Sequence, residues 1–275
     1  MPRINASIVL YNTPKDQLLQ AVNSVLNTSL NVRLYLVDNS SNDDLKAMSR
    51  IDDRIEYIYN NANLGYGAAH NIAIRKSIED DVPFHLALNP DVYFAKDTLE
   101  ALHEYCLSQP EVGLVMPNVT NPDGSIQYLC KLLPTPLDLI GRRFLPEKAI
   151  QRHNEYYELR FSGYNRIMEV PFLSGSFMFM RVSVLKKVGL FDERYFMYAE
   201  DIDLSRRINE VSKTIFYPYV SVVHEHAKES YKTTKMLFIH MKNIIKYFNK
   251  WGWFFDTKRK LTNRSIIKQI KEQKP

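Results

Sequence analysis

Residues 84–91, Phe84-His85-Leu86-Ala87-Leu88-Asn89-Pro90-Asp91, read as a short apolar strand that ends on a polar turn. The same plan recurs upstream. Ile4 to Tyr11 is a buried-strand pattern ending near Asn12, Val32 to Val37 runs into Asp38-Asn39-Ser40-Ser41, and Ile55 to Tyr59 leads to Asn63-Leu64-Gly65-Tyr66-Gly67. Helix signals fill the gaps. Thr13-Pro14-Lys15-Asp16 offers an N-cap, a proline at the first helical position and an acid behind it. Leu18, Val22, Val25 and Leu26 then fall on one helical face. Further helices are expected up to about Ser77 and from about Lys96 to Leu107, with a strand over Val112 to Met116. Strand–helix alternation at this spacing implies right-handed crossovers and a doubly wound, mostly parallel α/β sheet.

Ligands of such sheets bind beyond the carboxyl ends of the strands. Four of those ends carry polar groups in succession: Tyr11-Asn12, Asp38-Asn39, Asn60 to Gly67 and Asn89 to Asp91. That succession points to a nucleotide site. No Gly-x-Gly-x-x-Gly follows the first strand and no Gly-Lys-Ser/Thr loop occurs, which argues against a dehydrogenase or a P-loop NTPase.

Composition narrows the class further. The 275 residues are 45% apolar and 12% aromatic, enough for a packed core, and two cysteines, Cys106 and Cys130, cannot staple a fold of this size. No apolar run approaches the ~20 residues that cross a bilayer, and Met1-Pro2-Arg3 does not read as a signal peptide. A cytoplasmic protein of a reducing compartment is the expectation. The net charge of +5 is unevenly placed: Lys228 to Pro275 hold 13 basic and 3 acidic residues, which leaves residues 1–227 at −5. A mildly acidic body with a basic tail suggests an anionic surface met by the tail, and no nucleic-acid groove.

The second half holds the densest chemistry. Asn121-Pro122-Asp123-Gly124 suggests a hairpin into Ser125 to Cys130. Leu133 to about Met168 reads equally as a mobile loop over a site or as a surface insertion with short helices. Pro171 to Arg181 enters a buried strand, and Val182 to Val188 is a short helix ended by Gly189. In Glu200-Asp201-Ile202-Asp203, three carboxylates sit where a helix begins, preceded by Tyr195, Phe196 and Tyr198. Capping and dipole compensation explain one or two of these acids; the aromatic residues upstream suggest a pocket instead. Ile215 to Val223 is a strand ending at His224-Glu225-His226, where metal ligation is open.

Taken together, the strand-end set, Asn89-Pro90-Asp91, the Gly175 segment and Glu200-Asp201-x-Asp203-Leu204-x-Arg206 resemble the family 2 glycosyltransferases of the GT-A fold. Among these the chain is similar to bacterial rhamnosyltransferase-like enzymes of O-antigen and capsule assembly. The likeness covers about residues 4–226. It implies inverting transfer of a sugar from a nucleotide-diphosphate donor to an acceptor hydroxyl, with Mg²⁺ or Mn²⁺ at the diphosphate. The family's Asp-x-Asp metal motif reads Asn89-Pro90-Asp91 here, so Asp91 and His224 become the implied metal ligands and Asn89 a neutral neighbour. Asp201 matches the catalytic base, with Glu200 as the competing candidate. Asp38 matches a contact to the pyrimidine or ribose, and Tyr11 could stack on the base. Asn63, Gly65 and Asn71 match the nucleoside and sugar cradle, and Gly175 the room for donor sugar or acceptor.

The tail stands outside that likeness. Leu237, Met241, Ile244, Ile245 and Phe248 share one helical face, with Lys235, Lys242, Lys246 and Lys250 opposite, followed by Trp251-Gly252-Trp253-Phe254-Phe255 and Lys258-Arg259-Lys260. This suits either an interfacial membrane helix or a helix packed on the catalytic domain. The organisation expected is a GT-A domain over 1–227, with halves 1–118 and 119–227, and a basic helical tail over 228–275. By the resemblance alone, the preferred donor is dTDP-L-rhamnose, and the expected acceptor is a lipid-linked oligosaccharide at the inner face of a cell membrane. A UDP-hexose transferase is the alternative. A nucleotidyltransferase would show a glycine-rich basic loop after the first strand, which Leu10-Tyr11-Asn12-Thr13-Pro14 is not. A non-catalytic scaffold finds its best argument in Asn89 and its worst in Glu200-Asp201.

Overall fold

The computed structural model describes residues 4–141, 145–225 and 234–273. His226 and Lys228 to Thr233 lie outside the described residues, as does the side chain of Lys235. In chain order the first half holds β1 (Ile4–Leu10), α1 (Lys15–Leu26), β2 (Val32–Asp38), β3 (Ile55–Tyr59), α2 (Tyr66–Glu79), β4 (Phe84–Leu88), β5 (Val92–Phe94), α3 (Thr98–Ser108) and β6 (Val112–Thr120). The second half holds β7 (Cys130–Lys131), α4 (Pro136–Leu139), α5 (Glu147–Tyr157), β8 (Met168–Glu169), β9 (Phe172–Leu173), β10 (Phe177–Arg181), α6 (Val182–Val188), α7 (Glu200–Asn209) and β11 (Lys213–His224). Helices α8 (Thr234–Trp251) and α9 (Thr257–Glu272) close the chain.

Among the described residues one large sheet runs β3-β2-β1-β4-β10-β6-β11-β5, with β8 added on β11. Strands β3, β2, β1 and β4 are mutually parallel, and β6 and β11 continue their direction. The exception at the centre is β10, antiparallel to both β4 and β6. The halves expected on either side of residue 118 therefore share one sheet, because β10 of the second is inserted between β4 and β6 of the first. The core follows the sequence pattern: β1 and β4 are almost wholly buried, and Leu18, Val22 and Val25 of α1 face the sheet. Cys106 and Cys130 are free and buried.

Two local expectations change, and a third stretch takes one of its two readings. Thr13 does not cap α1; its hydroxyl accepts the Tyr11 N–H at 3.2 Å, and Pro14 occupies the cap position. Strand β6 runs on through Pro117 to Thr120. The proline has no N–H to give, and β11 opposite shifts register between Tyr217 and Ser221. The stretch after Leu133 forms α4 and α5, of which α4 starts on a capping box between Thr135 and Asp138.

The tail packs on the domain. Ile244, Tyr247 and Phe248 of α8 are buried against Phe172, Tyr195, Ala199 and Ile202. Ile245, expected on the apolar face, is 43% exposed, and Tyr247 takes its place. The lysines are not all turned to water: Lys246 donates to the Arg194 carbonyl, and Lys250 reaches Asp203 at 2.7 Å and Asp192 at 3.0 Å. No helix among the described residues is long and apolar enough to cross a membrane.

Candidate active site

The antiparallel entry of β10 builds the site. Because Phe177 pairs with Leu88, the residues just before β10 meet those just after β4. The Asn89 N–H accordingly donates to the Ser176 carbonyl at 3.0 Å. One residue earlier, the Gly175 N–H donates to Asp201 Oδ2 at 3.0 Å, and the Gly175 carbonyl accepts from the Tyr66 hydroxyl at 2.6 Å. A β-carbon at Gly175 would lie 3.2 Å from Asp201 Cβ. Gly175 is thus a clasp on Asp201, where the sequence suggested room for a sugar.

Asp91 meets His224 by register. Strand β5 begins right after Asp91 and pairs antiparallel with β11, setting His224 opposite Val92. His224 Nε2 lies 3.4 Å from Asp91 Oδ1, and that oxygen is buried without a hydrogen bond. Gln127 fixes the ring. Its Nε2 donates to Asn121 Oδ1 and to the His224 carbonyl, both at 2.8 Å, so its Oε1 must accept from His224 Nδ1 at 3.0 Å. With Nδ1 facing Gln127, the Nε2 edge of the ring is the one turned towards Asp91. A carboxylate oxygen and an imidazole nitrogen placed side by side are groups that divalent cations take as ligands. Gln127 was not singled out in the sequence, and a glutamine in a turn-rich stretch gives no signal there.

The carboxylates of α7 are set by an unusual turn. Tyr198 and Ala199 both adopt left-handed backbone angles, φ 71° each, and the helix begins at Glu200. Glu200 is 5% exposed, and its Oε2 has no hydrogen-bond partner. Burial, then the charge of Asp201, pushes its carboxyl up to about 8. Asp201 is raised by burial too, but N–H donors at Gly175 and Ile202 and the charge of Lys131 oppose the rise. The pair titrates together, and the hydrogen bonds make Asp201 the member that stays ionised. Lys131, on β7, is a second contributor that sequence reasoning missed.

Tyr66 joins the two clusters. Burial, followed by the charges of Glu200, Asp201 and Asp91, holds its phenol well above the usual value. Through the neighbouring residues Gly175 and Ser176, Asp201 and the turn that carries Asp91 meet at one edge of the sheet.

The remaining candidates divide. Tyr11 is 54% exposed at the end of β1, and Asn63 is exposed, accepting the Gly65 N–H at 3.0 Å. Asp38 is 1% exposed: Oδ2 accepts from the Tyr57 hydroxyl at 2.7 Å and Oδ1 from the Ser40 N–H at 2.8 Å. Asn71 requires correction. It is 1% exposed and its carboxamide is spent on Phe191 and Glu193, so it ties α2 to the loop before α7 and does not line a cradle. Gly65 is needed for the protein's own packing: its φ is +88°, and a β-carbon would lie 2.2 Å from the Phe196 carbonyl oxygen. Asn39 and Asn60, bonded at 2.8 Å, complete the polar edge.

Comparison with known proteins decides the family. The profile described as Glycosyl transferase family 2 matches residues 6–189. The chain belongs to that family. It is 30% identical over 218 residues to the N-acetylglucosaminyl-diphospho-decaprenol L-rhamnosyltransferase of Mycobacterium tuberculosis, covering 74% of this chain and 69% of that protein. It is 26% identical to the rhamnosyltransferase WbbL of Escherichia coli K12, covering 85% and 86%. Among solved structures, GalNAc-T7 with UDP, GalNAc and Mn²⁺ superposes with a TM-score of 0.65 at 15% identity, over 91% of this chain and 49% of that one. The mannosyltransferase PcManGT of Pyrobaculum calidifontis, in complex with GDP-Man and Mn²⁺, gives 0.58 at 18%, over 89% and 64%. This family 2 glycosyltransferase has the GT-A fold that the resemblance implied, with the mostly parallel central sheet that its strand pattern implied.

Proposed function

We propose that this glycosyltransferase moves L-rhamnose from dTDP-L-rhamnose to a hydroxyl of a lipid-linked glycan, with inversion and with Mg²⁺ or Mn²⁺ bound. One observation carries the reading: the Gly175 N–H holds Asp201 while the next residue, Ser176, accepts from Asn89 at the head of the Asp91 turn, so the carboxylate assigned to the metal and the one assigned as base lie at one edge. The rhamnosyltransferase relatives support the sugar, and a UDP-hexose remains the second reading.

Asp91 and the Nε2 of His224 would hold the divalent ion, with Gln127 orienting the imidazole as an outer partner. Such an ion supplies positive charge against the departing diphosphate. Few protein ligands suffice, since diphosphate oxygens and waters complete the coordination of these ions. Asn89 lowers the charge of the site but adds no misfit. Asp201 accepts the proton of the attacking hydroxyl, and its two N–H contacts keep it ionised and aimed. Glu200, holding its proton up to about pH 8, spares Asp201 a second buried negative charge beside it. Tyr11 and the exposed Asn63 bound the nucleoside side, while Asp38 shapes that edge from beneath.

The acceptor's lipid gives the tail its purpose. Phe254 and Phe255 are 76% and 99% exposed at the turn between α8 and α9, flanked by exposed Lys258 and Lys260. Aromatic side chains beside lysines fit an anionic bilayer surface. Trp251 and Trp253, with the buried Arg259, belong to the protein side of that turn: Arg259 donates to the carbonyls of Pro134, Gly252 and Trp253. Placement at the inner face of a cell membrane follows from this reading.

The test is a thermal-shift panel of nucleotide sugars with and without Mn²⁺. Stabilisation by dTDP-L-rhamnose that grows with Mn²⁺ and is lost in Asp91→Asn supports the assignment. A shift confined to a UDP-hexose moves the donor to the second reading, and no metal-linked shift with any donor rejects the metal site.

A further inference from the structure

Helix α7 carries the carboxylates, yet little of what holds it comes from the strands of the nucleotide half. The left-handed pair Tyr198-Ala199 must be held by its surroundings, because side chains with a β-carbon are strained at such angles. Tyr66 supplies one hold, its N–H donating to the Phe196 carbonyl at 2.9 Å, and the others come from α8 and the turn behind it. The Asn243 carboxamide, 1% exposed, donates to the Met197 carbonyl at 2.7 Å, one residue before the strained pair. The His240 ring stands edge-on to Tyr198 with centroids 4.9 Å apart. On the helix itself, the Trp251 indole N–H donates to Asp203 Oδ1 at 2.7 Å, two residues past Asp201. Arg206 is 2% exposed and forms a two-pronged pair with Asp256 at 2.7 and 3.0 Å, its guanidinium 4.0 Å from the Trp251 ring. Ile202 packs on Ile244, Tyr247 and Phe248. Apart from Tyr66, all of these partners lie beyond residues 6–189, the stretch the family profile covers.

We propose that α8 and the turn leading to α9 are a brace for the catalytic carboxylates, with Asn243 and Trp251 as positioning residues. Asn243 fixes the turn that precedes Glu200, and Trp251 fixes the first turn that follows Asp201. Between them Asp201 is kept where Gly175 can donate to it. The same turn presents Phe254 and Phe255 on its outer side, so the edge proposed to meet lipid and the helix bearing the base are one piece. This inference rests on Asp201 acting as the base.

Three full-length variants, Asn243→Ala, Trp251→Phe and Asp201→Asn, test it. Turnover is read as nucleoside diphosphate release from whichever of dTDP-L-rhamnose and UDP-galactose gives the larger thermal shift with Mn²⁺. A brace predicts that Asn243→Ala and Trp251→Phe each lower kcat about tenfold while donor KM stays within about twofold, because the donor side is untouched. Hydrogen exchange adds a readout independent of turnover: the peptide spanning residues 197–203 should exchange faster in both variants, and peptides of β1 to β4 should not. Unchanged exchange at 197–203, or an unchanged kcat in both folded variants, overturns the brace. Retained turnover in Asp201→Asn instead overturns the base assignment, and the exchange result then still decides whether α8 holds the turn.

Discussion

Gly175 grips Asp201 from the backbone, its N–H 3.0 Å from Oδ2, while its own carbonyl is held by the Tyr66 hydroxyl at 2.6 Å. The base candidate is thereby tied to α2 and, through Ser176, to the turn containing Asp91. A β-carbon at 175 would sit 3.2 Å from Asp201 Cβ, closer than ordinary packing allows. Gly175→Ala is expected to fold and to bind donor, and to lose roughly 10- to 100-fold in kcat because the carboxylate is displaced. Steady-state kinetics with the donor chosen by thermal shift checks it; wild-type kcat would mean that the clasp does not matter.

Glu200 makes the stability of the protein depend on pH in a direction that can be worked out. Its folded value stands up to about 8, above the 4.5 of an unperturbed glutamate. Between those values the folded state binds a proton that the unfolded state has released, so stability falls as pH rises through the window and levels off above it. In Glu200→Gln that slope should flatten, and the variant should melt higher than the wild type at pH 8 and above. Thermal melts from pH 5 to 9 measure both curves. Parallel curves would show that Glu200 is ionised in the folded protein.

The metal assignment turns on an orientation that one glutamine controls. Asp91→Asn should abolish the Mn²⁺-dependent part of donor stabilisation. Gln127→Ala should weaken apparent Mn²⁺ affinity by about 10- to 100-fold while leaving the fold intact, since it frees the ring to turn its Nδ1–H elsewhere. Mn²⁺ titration followed by thermal shift separates the two. Equal affinity in Gln127→Ala would reduce that residue to packing.

Much of this was readable from local pattern. The limits of Ile55–Tyr59, Phe84–Leu88 and Val182–Val188 coincide with the sequence reading because strand alternation, turn residues and Gly189 are local signals. The insertion of β10 between β4 and β6 was not readable, since a five-residue apolar run carries no record of its neighbours or direction. That one non-local fact is what brings Gly175 to Asn89. Asp38 and Asn71 were legible as polar strand and helix positions, but whether they face a ligand or the protein depends on partners such as Tyr57 and Phe191, distant in sequence. The tail was undecidable for a different reason: one amphipathic face serves a bilayer or a protein equally well, and only Ile244 and Phe248 meeting Ile202 resolves α8 in favour of the domain.

Of the apolar side chains that the tail exposes, which include Phe238 and Leu261, the pair Phe254 and Phe255 stands out furthest, with Lys258 and Lys260 beside it. Fully burying an aromatic side chain of this kind contributes ~1.5–3 kcal/mol, so the double variant Phe254→Ser/Phe255→Ser should bind vesicles about 100-fold more weakly. Each lysine adds about 1 kcal/mol near an anionic surface, so Lys258→Gln/Lys260→Gln should weaken binding to vesicles rich in phosphatidylglycerol and leave phosphatidylcholine vesicles unaffected. Neither change touches Asp201, and release of nucleoside diphosphate in the absence of lipid should stay at the wild-type rate. Cosedimentation at two salt concentrations reads the outcome. Equal binding by all three proteins would remove the bilayer from the account of the tail and leave only its grip on α7.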